Sequence, residues 1–80
     1  MVTVREMLNK LKWSLGLGGY QVVIVHRGAP GDVKVIAGSS IKEVGRYFFV
    51  YEENGVEVQI PYHRVLEVRS VEGEVLFRRR

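Results

Sequence analysis

The first hydrophobic pattern along the chain has the period of a helix. Five apolar residues recur at the i, i+3, i+4, i+7 spacing of a single helix face: Val4, Met7, Leu8, Leu11 and Leu15. Thr3 and Glu6 have the spacing of a capping box, in which each side chain binds a backbone N–H group of the other residue. The pattern therefore predicts an amphipathic helix that starts at Thr3 and ends before Gly16, Gly18 and Gly19.

Trp13 does not follow this pattern, because the helical repeat places it roughly opposite the apolar face. Either the helix ends near Lys12 and Trp13 turns inward, or Trp13 is exposed and available to a ligand. We favour the first interpretation.

From Tyr20 onward the pattern is typical of strands. Residues 21–27 contain four consecutive β-branched side chains, as expected for a central strand that is buried on both faces. Glycine and proline place a loop at residues 28–32 and a turn at residues 38–40. The further strand segments are residues 33–36, 41–52 with a break at Gly45, 56–60, 65–69 and 74–78.

Asn54-Gly55 is the strongest hairpin signal in the chain. It separates residues 47–51 from a second arm in which apolar positions alternate with Glu57 and Gln59. We expect this arm to have one buried face, formed by its apolar residues Val56, Val58 and Ile60, and one face in water.

Together these elements predict an α+β fold in which an N-terminal helix precedes a five- or six-stranded, mainly antiparallel sheet. An open sheet of this size leaves unpaired edges, so we expect it to curl into a small barrel with the helix over one end or one face. Eighty residues suffice for one core, which predicts a single domain over residues 1–80.

Composition narrows the chemistry that is open to this fold. The chain has no cysteine, which excludes disulfides, zinc–thiolate sites and cysteine nucleophiles. Its two histidines and scattered carboxylates have no metal-ligand spacing, and no apolar run approaches the length of a membrane span. We therefore expect a soluble cytoplasmic protein that binds no metal, cofactor or membrane.

The net charge of +3 is unevenly distributed. Residues 1–77 carry nine basic and nine acidic side chains, so the excess comes from Arg78, Arg79 and Arg80. Within the balanced part, residues 1–40 sum to +3 and residues 41–77 to −3. A surface that binds a polyanion should thus draw on the first half and the tail, although such a terminal run is usually frayed and solvated.

Both histidines are followed by arginine, in His26-Arg27 and His63-Arg64, and both pairs lie where the backbone turns. Guanidinium and imidazole groups recognise phosphate, since they offer several N–H donors and positive charge. Two histidines can also act as general acid and base on a phosphodiester. The structural alternative is that each arginine pairs with a glutamate and each histidine caps a strand end.

Aromatic residues alternate across the segment 47–51. One pair of them should lie in the core, and the other pair could form a platform on which nucleic-acid bases stack. The alternative, which we favour, is that both pairs pack under the helix or against the opposite sheet face. The four residues concerned are Tyr47, Phe48, Phe49 and Tyr51.

The segments Ile60-Pro61-Tyr62-His63-Arg64-Val65 and Val25-His26-Arg27-Gly28-Ala29-Pro30-Gly31-Asp32 resemble a family of small archaeal proteins of the UPF0248 type. This family, once a domain of unknown function, is described as the RNA cyclic group end recognition domain. The resemblance implies recognition of RNA termini that carry a 2′,3′-cyclic phosphate. Many members have Asp-Arg where this chain has His26-Arg27, which favours Arg27 over His26, and many have Trp in place of Phe77.

The resemblance implies a non-catalytic module whose partners are RNA 3′ termini and RNA-processing or repair enzymes. Arg27, His63 and Arg64 would bind the terminal phosphate. Tyr62 would stack on the last nucleotide or hydrogen-bond to it, while His26 and Lys34 would add to the site. The alternatives are an enzyme that opens or forms the cyclic phosphate with His63 and His26, and an adaptor that docks RNA-repair enzymes.

Overall fold

The computed structural model describes residues 3–14 and 16–79, except for the side chains of residues 13, 14 and 17. The α+β class is confirmed, since one α-helix precedes seven strands in this part of the chain. The elements are α1 (Val4–Ser14), β1 (Tyr20–Val25), β2 (Val33–Ala37), β3 (Ile41–Val44), β4 (Phe48–Glu53), β5 (Val56–Pro61), β6 (Val65–Ser70) and β7 (Val75–Arg78).

The helix begins as its capping residues predict, with the Glu6 backbone N–H donating to Thr3 Oγ1 at 3.1 Å. It continues to Ser14, so the expected end near Lys12 is wrong. The side chain of Trp13 and all of Leu15 lie outside the described residues. With eleven residues, α1 is too short to cross a lipid bilayer, and the described chain has no other α-helix.

The strands form two antiparallel sheets rather than one. The strand order is β2-β1-β6-β7 in the first sheet and β3-β4-β5 in the second. Between the described strands no backbone pairing joins the two sheets, so the expected closed barrel is not confirmed. The predicted number of strands was also too low, because the Gly45 N–H donates to the Phe48 carbonyl at 2.9 Å and closes a turn that divides the segment 41–52.

Two three-residue turns of 3-10 helix carry the chain between the sheets. The first crossover turn, Gly38–Ser40, leads from β2 to β3, and the second crossover turn, Tyr62–Arg64, leads from β5 back to β6. In each turn the first residue's carbonyl accepts the N–H group of the residue that follows the turn. These sharp changes of direction separate the strands into two sheets.

The core lies between α1 and both sheets, which all contribute fully buried apolar side chains. Burial of such side chains is the main stabilising term in a domain without disulfides. The buried cluster consists of Val4, Leu8, Leu11, Val22, Ile24, Ile36, Phe49, Tyr51, Ile60, Val65 and Val68.

The predicted hairpin is confirmed, with Asn54 at φ +53° and Gly55 at φ +79°, the positive values that a type I′ turn requires. Its second arm departs from the prediction, because Val56 is 61% exposed and burial is reached only toward Ile60. The predicted central strand, β1, is interior in the first sheet but ends at Val25, two residues early.

Replacing Gly45 by alanine should destabilise the fold. A Cβ atom there would lie 2.8 Å from the Phe48 carbonyl oxygen, which is main chain and cannot move independently. We expect Gly45→Ala to lower the free energy of unfolding by about 1–3 kcal/mol in urea denaturation. Gly19→Ala is the matched control, because its Cβ would meet nothing within 4 Å; equal stability of the two variants would contradict the steric argument.

Candidate functional site

The two His-Arg pairs meet in one cleft. β1 and β6 are antiparallel neighbours in which Ile24 pairs with Val65, so the end of β1 lies beside the second crossover turn. The open cleft between them has a volume of about 500 Å³, and we call it the histidine–arginine cleft. Its lining residues are Val25, His26, Arg27, His63 and Arg64.

Arg64 holds the two sides of this cleft together. Its Nε and Nη2 atoms donate to the Val25 carbonyl oxygen at 3.2 and 2.7 Å. Because Val25 directly precedes His26, these bonds fix the second crossover turn against the end of β1. They use two of the five N–H groups of a guanidinium, which leaves three for other acceptors.

The other polar side chains of the cleft have few partners, although His26 interacts electrostatically with Glu53 and helps to lower the pKa of that carboxyl. Arg27 and His63 are exposed and His26 is half-buried, and no hydrogen bond or ion pair to the described residues engages the three side chains. No carboxylate lines the cleft in the described part of the chain. The alternative in which each arginine pairs with a glutamate is therefore wrong for Arg27 and Arg64.

A closed loop positions His26 and Arg27. The His26 backbone N–H donates to the Asp32 carbonyl at 2.8 Å, and the Gly28 N–H reaches Asp32 Oδ1 at 3.4 Å. Gly28 has a φ of +93°, a conformation that side-chain-bearing residues rarely adopt. The loop predicted for residues 28–32 thus closes on itself and keeps the first His-Arg pair beside β1.

The Tyr62 side chain anchors the second crossover turn to Gly45 and to Phe49 of β4. Its hydroxyl donates to the Gly45 carbonyl at 2.6 Å, and its ring stacks on Phe49 with centroids 6.2 Å apart. Burial raises the pKa of the Tyr62 hydroxyl, with Arg5 opposing and Glu43 adding to the shift. Its proposed contact with a nucleotide stays a prediction, whereas its contacts with the fold are structural.

Lys34 is not among the residues that line the cleft. Its Nζ binds both carboxylate oxygens of Glu53, at 2.8 Å for Oε1. The hydrogen bond raises the pKa of Lys34 and lowers that of Glu53. The positive charge of Lys34 is thus largely offset by Glu53.

No group of three or more His, Asp or Glu side chains suited to a metal ion occurs within residues 3–14 and 16–79.

A second cleft, of about 550 Å³, also borders the second crossover turn, since Tyr62 and His63 line it. We call it the arginine cleft, since Arg5, Arg46 and Arg79 line it together with His63 and Glu6. Sequence reasoning missed it, because these arginines come from the helix start, the β3–β4 turn and the chain end. The charge distribution gave a partial signal, since it assigned a polyanion-binding surface to the first half and the tail, which contain Arg5 and Arg79 but not Arg46.

The expected frayed end is wrong for Arg78 and Arg79, while Arg80 lies outside the described residues. Arg78 Nε pairs with Glu67 at 3.0 Å. Arg79 Nε donates to the Val65 carbonyl at 2.9 Å and its Nη2 to the Tyr62 carbonyl at 3.2 Å. Arg79 therefore braces the second crossover turn.

One aromatic pair of this segment lies in the core, since Phe49 and Tyr51 are buried. Alternation alone would place Tyr47 on the same face, but Tyr47 precedes β4, so the expected packing of both pairs is wrong for Tyr47. Phe48 is half-buried, and Tyr47 is 72% exposed beside the second crossover turn. The Tyr62 backbone N–H lies 3.4 Å from the Tyr47 carbonyl, and the Arg46 guanidinium is 5.7 Å from the centre of the Tyr47 ring.

Arg64 and Arg27 should differ in their effects on stability. Arg64→Ala removes a half-buried, charged hydrogen bond and should lower the free energy of unfolding by about 1.5–3 kcal/mol. Arg27→Ala removes an exposed side chain and should change that free energy by no more than about 0.5 kcal/mol. Urea denaturation of both variants tests this, and equal stabilities would show that the bond from Arg64 to Val25 does not hold the turn.

Comparison with known proteins agrees with the resemblance carried by the His-Arg segments. The model of the MJ1316 RNA cyclic group end recognition domain matches residues 1–79. The UPF0248 protein of Pyrobaculum islandicum is 40% identical over 77 residues, covering 96% of this chain and 89% of the relative. No solved structure matches the chain.

Two further relatives have the same UPF0248 name. The UPF0248 protein of Pyrobaculum calidifontis is 42% identical over 77 residues, covering 96% of this chain and 97% of the relative. The UPF0248 protein MJ1316 of Methanocaldococcus jannaschii is 32% identical over 80 residues, covering 96% and 94%. The chain therefore belongs to the family of the MJ1316 RNA cyclic group end recognition domain.

Proposed function

We propose that this protein is a non-catalytic module that binds RNA 3′ ends and recognises a terminal 2′,3′-cyclic phosphate in the histidine–arginine cleft. The observation that carries the proposal is the convergence of both His-Arg pairs on one cleft without a lining carboxylate in the described chain. The description of the family as an end recognition domain supports it.

Arginine chemistry fits such an end. A cyclic phosphate diester carries one negative charge and two non-bridging oxygens, which match the parallel N–H groups of a guanidinium. Arg27 has an exposed guanidinium that no described residue engages, and Arg64 retains unused N–H groups beside it. Arg27 is the main phosphate ligand in this proposal, and Arg64 is a second one.

The histidines add donors on both sides of the cleft. An imidazole donates at least one N–H group whether it is neutral or protonated, so His63 and His26 can both bind phosphate or ribose oxygens. His63 is the more accessible of the two, because it is exposed on the second crossover turn. We assign it the contact with the terminal nucleotide, and Lys34 has at most a distant electrostatic role because it is paired with Glu53.

The cleft is also built before a ligand arrives. The bonds from Arg64 to the Val25 carbonyl fix one wall against the other, and the closed loop after β1 holds the first pair in place. Preorganisation of this kind raises affinity, because fewer groups must be ordered on binding.

Charge distribution favours an end over a continuous strand. Residues 1–77 are neutral overall, so a general attraction along an RNA backbone is weak at physiological salt. The two His-Arg pairs are instead concentrated in one cleft, which suits binding of a single terminal phosphate.

Binding of short RNAs that differ only at the 3′ end tests the proposal. We expect a trinucleotide with a 2′,3′-cyclic phosphate to bind more tightly than the same RNA with a linear 3′-phosphate or a 3′-hydroxyl. Arg27→Ala should raise the Kd for the cyclic end by about 10- to 150-fold, since a charged hydrogen bond contributes about 1.5–3 kcal/mol. Fluorescence anisotropy measures all three affinities.

Arg69→Ala is the charge control, because it removes one positive charge near the start of β1, away from the cleft at its end. Since Arg69 also pairs with Glu67, thermal melting checks that this variant is folded. Equal affinities for the three ends would contradict end recognition. Conversion of the cyclic phosphate during incubation, followed by mass spectrometry, would instead support the enzyme that uses His63 and His26. A protein that binds none of the RNAs would favour the adaptor.

A further inference from the structure

The arginine cleft shares His63 with the histidine–arginine cleft, so the two clefts adjoin at the second crossover turn. A single-stranded RNA whose last phosphate lies in the first cleft can continue directly into the second. Any RNA group that the second cleft binds would therefore lie on the 5′ side of the terminal nucleotide.

The chemistry of the second cleft matches a backbone phosphate. Among its described lining residues are three arginines and one carboxylate, that of Glu6. Arg79 is committed to the Val65 and Tyr62 carbonyls, but Arg5 and Arg46 are exposed and form no hydrogen bond or ion pair with described residues. Two exposed guanidinium groups are thus available to an anion in a preformed wall.

Tyr47 supplies an independent observation. Its ring is 72% exposed, it lies beside Arg46, and its backbone is joined to the second crossover turn. An exposed aromatic ring next to a guanidinium is the arrangement on which single-stranded bases stack while their phosphates are neutralised. Tyr47 lies in the bend before β4, outside the strand from which Phe49 and Tyr51 enter the core, so its ring is free to contact a ligand.

We propose that the arginine cleft is a second RNA subsite, in which Arg5 and Arg46 bind the phosphate on the 5′ side of the terminal nucleotide and Tyr47 stacks on the penultimate base. This inference rests on the proposed function and extends it. The ligand is at least a dinucleotide end, and a nucleoside 2′,3′-cyclic phosphate alone fills only half of the site.

The prediction is that affinity depends on RNA length through these three residues. With the unaltered protein, we expect a roughly tenfold or greater gain in affinity from a nucleoside 2′,3′-cyclic phosphate to a trinucleotide with the same end, and little gain beyond it. Arg5→Ala/Arg46→Ala and Tyr47→Ala should each reduce this gain, while the affinity for the mononucleotide stays within about twofold.

The variants are suited to the test because both arginines lie outside the core. Arg5 is in the first turn of α1, where a positive charge opposes the helix dipole, so alanine should not weaken the helix. Thermal melting checks that each variant is folded. Arg69→Ala/Arg78→Ala, which also removes two positive charges but outside both clefts, controls for loss of charge. Tyr47→Phe, which keeps the ring, should retain the stacking contribution.

Salt dependence gives a second readout. For single-stranded RNA, the slope of log K against log salt concentration should fall in magnitude by about 0.7 for each phosphate that Arg5→Ala/Arg46→Ala no longer neutralises. The slope for the mononucleotide should not change. An unchanged trinucleotide slope in this variant would show that the arginines do not bind the RNA backbone.

The outcomes separate this inference from the proposed function. A preference for the cyclic end with no gain from added nucleotides, or with a gain that the variants do not alter, overturns the second subsite and leaves end recognition standing. A length gain that depends on Arg5, Arg46 and Tyr47 without any preference among the three ends overturns end recognition and supports the subsite. Failure to bind any of the RNAs overturns both.

Discussion

The second crossover turn is the constraint on which the rest of the structure depends. Three side chains tie it by hydrogen bonds to separate parts of the chain: Tyr62 reaches Gly45, Arg64 reaches Val25, and Arg79 reaches back to the turn itself. All three bonds end on main-chain carbonyls, so they fix backbone rather than flexible side chains. The turn thereby joins the two sheets where their hydrogen-bond ladders do not.

The arginines around this turn have two different roles: some stabilise the fold, and others have N–H groups that a ligand can bind. Arg64 and Arg79 donate to main-chain carbonyl oxygens, and neither forms an ion pair with a carboxylate of the described residues. Arg27, Arg5 and Arg46 are exposed and have no such bonds in the described chain. Exposed arginines therefore outnumber carboxylates among the described residues that line the two clefts at His63, although residues 1–77 are neutral overall. This local excess of positive charge is the basis of the proposed anion site.

Much of the fold could be predicted because its signals are local. The cap at Thr3, the Asn54-Gly55 hairpin and the buried central strand each depend on residues close in sequence, and each is present. The barrel was not predictable in the same way. Whether consecutive strands stay in one sheet depends on how three residues of Tyr62–Arg64 turn the backbone, and hydrophobic periodicity does not report that angle.

The candidate site likewise combines features that are local in sequence with features that only the tertiary structure sets. From the sequence alone, the two His-Arg pairs were recognisable as phosphate-binding chemistry at turns, because residue type and nearby glycine or proline are local properties. Only the tertiary structure decided that the pairs share a cleft, that Lys34 is paired with Glu53, and that Arg5, Arg46 and Arg79 converge from distant segments. The sequence determined which groups are able to bind an anion, whereas antiparallel pairing of β1 with β6 and the bracing of one turn determined which of them lie together. Convergence depends on contacts between residues dozens of positions apart, and no local pattern encodes these.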